Sequence, residues 1–267
     1  MQNSKVYLDH NATSPLLPEV AKIMNEVAHK SFANPSSPHW AGRDARNLLE
    51  ESREKIANLI GVKPREIIFT SGGSESNNSV LRQLLMTQEE KHLICSAVEH
   101  PSILETCKII ANQPNIECSL IGVDSSGRIN PEELRSAICP ETVLISIISA
   151  NNETGNIQHL EEFCKISKEK NIPFHTDLVQ SFCKINLDFS NIGINYATVT
   201  AHKIGGPRGI GLLYVKDETP FNSLITGGKQ ERVRRAGTEN VLLAVGFSKA
   251  VEWFINNQSK LQEKFFK

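Results

Sequence analysis

No apolar run in this sequence is long enough to span a bilayer, which excludes a transmembrane helix. Charge of one sign is not in excess either: 29 Lys and Arg face 30 Asp and Glu, a formal net charge of -1. That balance gives no electrostatic case for nucleic acid or for an anionic membrane surface. The first ten residues, MQNSKVYLDH, contain no apolar core and no small-residue cleavage site, so no secretory signal is expected there. The six cysteines show no CxxC or CxH spacing. Cys95, Cys118 and Cys183 sit in or beside apolar strand-like runs, where a thiol packs as a small hydrophobe. No disulfide or zinc framework is expected, and a reducing, cytoplasmic setting follows. Internal repeats and low-complexity tracts are absent too.

What is present is an alternation of short apolar runs with amphipathic helical ones, in 267 residues with 39% hydrophobic content. That length holds one large domain, or one and a half, with ample buried core. EIIFT (Glu66–Thr70), HLICSAV (His92–Val98), IECSLIGV (Ile116–Val123), TVLISIIS (Thr142–Ser149), IPFHTDL (Ile172–Leu178), YATVT (Tyr196–Thr200) and GIGLLYV (Gly209–Val215) read as strands. Several are apolar at consecutive positions, as expected when helices cover both sheet faces. Helical patterns fill the gaps at SNNSVLRQLLMTQEE, PSILETCKIIAN, NPEELRSAI and LEEFCKISKEK. Pro101 and Pro131 sit at helix starts, where a missing N–H costs nothing. Two further helices are expected near Glu19–Lys30 and Gly42–Ile60, joined by the turn-rich SFANPSSPHWAG. The last segment, from Glu239, reads as one long amphipathic helix running to the final residue. The fold class is therefore α/β, with a mostly parallel sheet of seven strands flanked by helices.

Ligands of open parallel sheets bind beyond the carboxyl ends of the strands, and several of these runs end on polar groups. FTSGGSES closes a strand on Gly73 and Ser74, small residues that let backbone N–H groups approach a phosphate. A helix N-cap by Ser74 explains the same residues equally well. HTDLVQS ends on Asp177, with Gln180 following. A buried carboxylate there calls for a cationic or N–H partner, or else is an ordinary helix cap. Asn151 and Asn152 in ISANNETG read most simply as turn formers. His100 in AVEHPS could stack on an aromatic cofactor or cap the helix at Pro101. In TVTAHKIGGPRGIG, Thr200 and His202 offer a hydroxyl and an imidazole to phosphate oxygens, and Lys203 offers an amine. Together they meet the requirements of pyridoxal 5'-phosphate: an amine for its aldehyde, an acid for its ring nitrogen, phosphate donors and a ring to stack on it.

The chain resembles the cysteine desulfurases of the class V aminotransferase family, fold-type I pyridoxal-phosphate enzymes. The resemblance rests on YLDHNATSP, NPSSPHWAG, FTSGGSESNN, EHPS, NNETGNIQ, HTDLVQS, AHKIGGPRGIG and GGKQERVRRAGTENV, met in that order along nearly the whole chain. It implies that Lys203 carries the cofactor as an imine and moves protons at the substrate α-carbon. Asp177 would pair with the pyridine nitrogen and Gln180 with the phenolic oxygen. His100 would stack on the ring and handle protons at the substrate thiol, while Asn152 contacts cofactor or substrate carboxylate. Gly73, Ser74, Thr200 and His202 would hold the phosphate, with Thr238 reaching the phosphate of a neighbouring subunit in a homodimer.

The resemblance further implies L-cysteine as substrate, L-alanine as product, and a sulfur-acceptor or scaffold protein for iron–sulfur cluster or thio-cofactor assembly. It divides the chain into an N-terminal arm (1–20), a pyridoxal-phosphate-binding large domain (21–245) and a long helix (246–267) leading to a C-terminal domain that is missing. That domain carries the family's sulfur-accepting cysteine and carboxylate-gripping arginine, so the chain alone is expected to be inactive or impaired. Another class V aminotransferase or β-lyase, or a non-catalytic dimerising subunit, is the alternative. Four positions depart from the family pattern. Thr200 stands for serine, His10 for asparagine, and Lys229 and Cys183 for glycine.

Overall fold

The computed structural model describes residues 5–189 and 191–265. Seven strands form one sheet: β1 (Ile67–Thr70), β2 (Lys91–Ser96), β3 (Ile116–Ile121), β4 (Thr142–Ser146), β5 (Phe174–Asp177), β6 (Tyr196–Thr200) and β7 (Gly211–Val215). Their order across the sheet is β1-β7-β6-β5-β4-β2-β3. The pairs β2/β3, β2/β4, β4/β5 and β5/β6 are parallel, whereas β7 runs antiparallel to both β6 and β1. The sheet is thus mostly parallel, as the apolar runs imply. The reversal has a simple cause: a parallel return needs a crossover of about a dozen residues or more, and segment 201–210 is shorter. That short return carries Lys203.

The helices are α1 (Pro18–Ala28), α2 (Trp40–Ile60), α3 (Gly73–Leu81), α4 (Pro101–Ile110), α5 (Pro131–Ala137), α6 (Leu160–Glu169) and α7 (Val241–Phe265). Pro101 and Pro131 open α4 and α5 as expected. The helical run beginning at Ser76 is shorter than its pattern: after Leu81 the chain tightens into a 3-10 turn, Arg82–Met86. There Gln83 exchanges two hydrogen bonds with the backbone of Asn222, Nε2 to O at 2.7 Å and N to Oε1 at 2.9 Å. Tertiary bonding overrides the local periodicity. The last two residues of the C-terminal helical pattern lie outside the described residues.

Every residue of β1, β5, β6 and β7 is buried, because helices cover both faces of the sheet. The alternation is visible in β1, where Ile67 and Phe69 join a core shared with α1, α2, α6 and α7. Ile68 points the other way, into a core with Val80 and Ile103 of α3 and α4. On α7, Phe247, Ala250 and Val251 belong to the first core. All six cysteines carry free thiols. No helix among the described residues is long and apolar enough to cross a membrane.

One polar contact ties distant segments through the core. Arg53 on α2 grips Glu231 with Nη1–Oε2 and Nη2–Oε1 at 2.7 Å, and Nη1 also donates to Ile67 O at 2.9 Å. Glu231 accepts from Phe69 N at 3.0 Å. The pair holds an uncommon backbone: Glu231, Arg232 and Val233 all have positive φ, at 47°, 57° and 68°.

Candidate active site

The carboxyl ends of β4, β5 and β6 and the first turns of α3 and α4 enclose a cavity of about 430 Å³. Position follows topology, since parallel strands all deliver their last residues to one edge. Lys203, Asp177, Gln180, His100 and Asn152 line it, as do Gly73, Ser74, Thr200 and His202. Thr238 does not; it is exposed in the segment before α7.

Lys203 closes a single 3-10 turn, Ala201–Lys203, directly after β6. The glycines beyond it are explained by close approach. A Cβ on Gly205, which has φ +71°, would lie 2.5 Å from Leu17 Cγ, and one on Gly206 would lie 2.8 Å from Ala201 Cβ. Bare backbone therefore lets the N-terminal arm lie against the lysine turn, with Ser14 N and Oγ donating to His202 O at 2.9 and 2.7 Å. The same arm supplies Asn11, whose carbonyl accepts from Lys203 Nζ and from Gln180 Nε2. Burial holds the Lys203 ammonium below the usual lysine range, with the Asp177 and Asp9 carboxylates pulling the other way. The amine is half-buried on a cavity wall and is not a solvated surface charge.

Asp177 ends β5 at 4% exposure. Its Oδ1 accepts from Val179 N at 2.9 Å and its Oδ2 from Asn77 Nδ2 at 2.8 Å. No helix directly follows β5 among the described residues, so Asp177 is not a helix cap: Oδ1 closes a local turn onto Val179 N, and the carboxylate as a whole stays on the cavity. Both partners are neutral, and no cation lies within ion-pairing distance of it among the described residues. Burial accordingly pushes this carboxyl up, against the bonds from Asn77 and Val179 and the charges of His100 and Lys203.

His100 caps α4, its Nδ1 accepting from Ser102 N at 3.1 Å, and it also lines the cavity. Ser102 Oγ lies 2.8 Å from the same Nδ1 and 2.9 Å from Asn77 Nδ2. Ser74 does not cap α3: Gly72 is the cap residue, and no side-chain cap bond is made. Its hydroxyl and the first N–H groups of α3 are left to the cavity. Thr200 Oγ1 donates to Ile210 O at 3.3 Å, its one side-chain bond among the described residues, and His202 Nδ1 lies 3.1 Å from Thr13 Oγ1. Burial and the charges of Lys203, Arg208 and Lys184 press the His202 imidazole down to about 4, so it is neutral at neutral pH. Asn151 is the turn former, accepting from Glu153 N and Thr154 N, whereas Asn152 faces the cavity.

Sequence reasoning did not single out Asn11, Asn77 or Ser102. Asn77 and Ser102 lie inside the motifs FTSGGSESNN and EHPS, where each could have been read as a cap or helix-surface residue. Only the meeting of α3, α4 and β5 makes them neighbours. Cys183 takes φ +61°, a left-handed conformation that explains the glycine common at that position in the resembled family.

The chain carries an amine, a buried carboxylate and convergent hydroxyl and imidazole groups at one strand edge, and it matches the family profile described as aminotransferase class-V over residues 6–264. The chain belongs to the class-V aminotransferase family. It is 44% identical over 262 residues to cysteine desulfurase IscS of Dictyoglomus turgidum, covering 97% of this chain and 66% of that protein. To cysteine desulfurase IscS of Methanosarcina thermophila it is 40% identical, over 94% of this chain and 62% of that one. Among solved structures, a NifS-like protein superposes with a TM-score of 0.93 at 36% identity, over 96% of this chain and 71% of the other. A structure titled SspA in complex with cysteine superposes with a TM-score of 0.89 at 38% identity, over 98% and 77%. This class-V chain thus spans about two thirds of the length of the curated relatives it matches.

Proposed function

We propose that this chain binds pyridoxal 5'-phosphate at Lys203 and serves the desulfuration of L-cysteine to L-alanine. The observation that carries this reading is the opening of the Lys203 amine and the buried Asp177 carboxylate onto one cavity. Asp177 also supplies the test of fit. A buried carboxylate with two neutral donors and no ion pair suits a protonated ring nitrogen, which would offset its desolvation. When bound, the cofactor supplies an aldehyde for the lysine amine and a ring that takes up negative charge from the substrate α-carbon.

The chain's own residues supply the rest. Lys203, its amine form favoured by burial, moves the proton at the substrate α-carbon. The N–H groups at Gly73 and Ser74, with Thr200 and neutral His202, hold the phosphate. Gln180 meets the phenolic oxygen, Asn152 the carboxylate, and His100 lies against the ring and the substrate sulfur. The SspA–cysteine structure and the desulfurase relatives support L-cysteine as substrate. No cysteine lines the cavity among the described residues, so the sulfur passes to a thiol outside its wall. Exposed Thr238 serves the phosphate of a second copy in a homodimer. The arm (1–20), the large domain (21–245) and the helix beyond are the working division of the chain. Free thiols suit a cytoplasmic setting and delivery of sulfur to an acceptor protein of iron–sulfur or thio-cofactor assembly.

The test is a visible spectrum with added cofactor, followed by borohydride reduction and mass mapping. A band at about 420 nm and a reduced adduct on Lys203 are expected, both lost in Lys203→Ala. An adduct elsewhere, or none, overturns the reading. Little sulfide is expected from L-cysteine with the chain alone. Turnover matching a full-length desulfurase would refute the external thiol.

A further inference from the structure

We propose that Asn77 and Ser102 are positioning residues that couple the Asp177 carboxylate to the His100 imidazole and fix the His100 proton on Nε2. Only what His100 then serves depends on the cofactor reading above; the tautomer itself is a property of the chain.

Four side chains stand in a hydrogen-bonded row. Asp177 Oδ2 lies 2.8 Å from Asn77 Nδ2, that nitrogen 2.9 Å from Ser102 Oγ, and Ser102 Oγ 2.8 Å from His100 Nδ1. The direction of donation can be worked out from either end. At the histidine end, the backbone N–H of Ser102 points at Nδ1 from 3.1 Å. An amide always carries its proton, so Nδ1 must offer its lone pair, and a neutral ring then holds its proton on Nε2. At the other end, Asn77 Nδ2 donates to Asp177 Oδ2, so the amide turns its NH₂ toward the carboxyl group. The second amide proton goes to Ser102 Oγ. That leaves the hydroxyl proton of Ser102 with one acceptor, His100 Nδ1. Both ends give the same polarity.

Asn77 bears the mark of this constraint. It is 1% exposed, and its Oδ1 is buried without a hydrogen-bond partner. An orphaned buried oxygen is costly. The opposite amide orientation would be worse, because it sets Oδ1 against the Ser102 hydroxyl oxygen, whose proton already goes to His100 Nδ1. Asp177 thus determines how Asn77 lies, and through Ser102 determines which nitrogen of His100 is protonated.

The consequence concerns Nε2, which has no hydrogen-bond partner among the described residues. With the proton there, His100 offers an N–H to an incoming group and cannot accept a proton at that nitrogen. A substrate sulfur would meet a hydrogen-bond donor, so the thiolate is the form His100 recognises.

The experiment is a long-range proton–nitrogen NMR correlation on cofactor-free protein labelled with 15N-histidine, recorded at about pH 8, where imidazole is neutral. His100 is assigned by its loss in His100→Asn. A protonated Nε2 and a bare Nδ1 are expected in the wild-type chain. Asn77→Leu and Ser102→Ala should each reduce the Nε2–H preference roughly fivefold, the worth of one neutral hydrogen bond, while Ser102→Thr keeps it. A proton on Nδ1 in the wild type overturns the proposal, as do populations unmoved in both variants. Should the variants fail to fold, the wild-type spectrum decides. Because no cofactor is added, failure of the pyridoxal-phosphate reading would leave this result untouched.

Discussion

Replacing Glu99 by Gln is expected to change how stability varies with pH. Glu99 precedes His100 and is 5% exposed. Its Oε1 accepts from Ser96 Oγ at 2.6 Å and from Ile148 N at 2.5 Å, whereas Oε2 is buried without a partner. Burial pushes this carboxyl up to about 8, the Ser96 and Ile148 bonds opposing and the nearby Asp177 charge reinforcing the rise. Unfolded, it ionises near 4.5. The fold therefore favours the protonated form. That contribution is fully present below 4.5 and is lost as pH rises through about 8. Between about pH 5 and about pH 7 the loss amounts to about 2–3 kcal/mol.

His175 slopes the other way. It is fully buried on β5, its ring nitrogens 2.8 Å from Ser146 Oγ and 3.1 Å from Thr198 Oγ1. Burial pushes its imidazole down from 6.5 to about 3. Its contribution is present above the unfolded value and lost as pH falls toward the folded one, about 2 kcal/mol between about pH 7 and about pH 5. In the wild-type chain these two contributions oppose each other. Urea unfolding followed by tryptophan fluorescence should separate them. On acidification over that range, Glu99→Gln should lose about 2–3 kcal/mol more than wild type, and His175→Gln about 2 kcal/mol less. If Glu99→Gln and wild type run parallel within about 0.5 kcal/mol, Glu99 is ionised in the folded protein and the reasoning fails.

Three further perturbations follow from contacts described above. Asp177→Asn should weaken pyridoxal-phosphate binding roughly tenfold to a hundredfold in a spectroscopic titration, the worth of a hydrogen bond to a charged group; unchanged affinity would dissociate Asp177 from the cofactor. Arg53→Met strands the Glu231 carboxylate in the core and should cost about 3–5 kcal/mol in chemical unfolding, with Arg53→Met/Glu231→Leu recovering part of it. Gly205→Ala puts a Cβ against Leu17 at a left-handed backbone position and should cost about 1–3 kcal/mol. Leu17→Ala should relieve the contact but not the dihedral, so only partial rescue of the melting temperature is expected.

The strands were legible in the sequence because burial on both faces writes itself as consecutive apolar residues, and β1, β5, β6 and β7 are buried at every position. Polar residues that end such runs have one edge to occupy, which made part of the candidate site legible, and the resemblance supplied the rest; nine of the ten residues so expected line one cavity there. What local pattern could not carry was pairing across the chain. The Arg53–Glu231 grip joins residues 178 apart, and the Asn11 carbonyl meets a lysine 192 residues away. Asn77 and Ser102 carry no signal of their own until α3 and α4 are packed side by side, and the direction of β7 was decided by the shortness of the turn before it. Periodicity fixes which face of an element is buried, because that is a property of neighbouring residues. Which elements then meet depends on loop closure and on the packing of the whole core, and no short stretch of the sequence contains either.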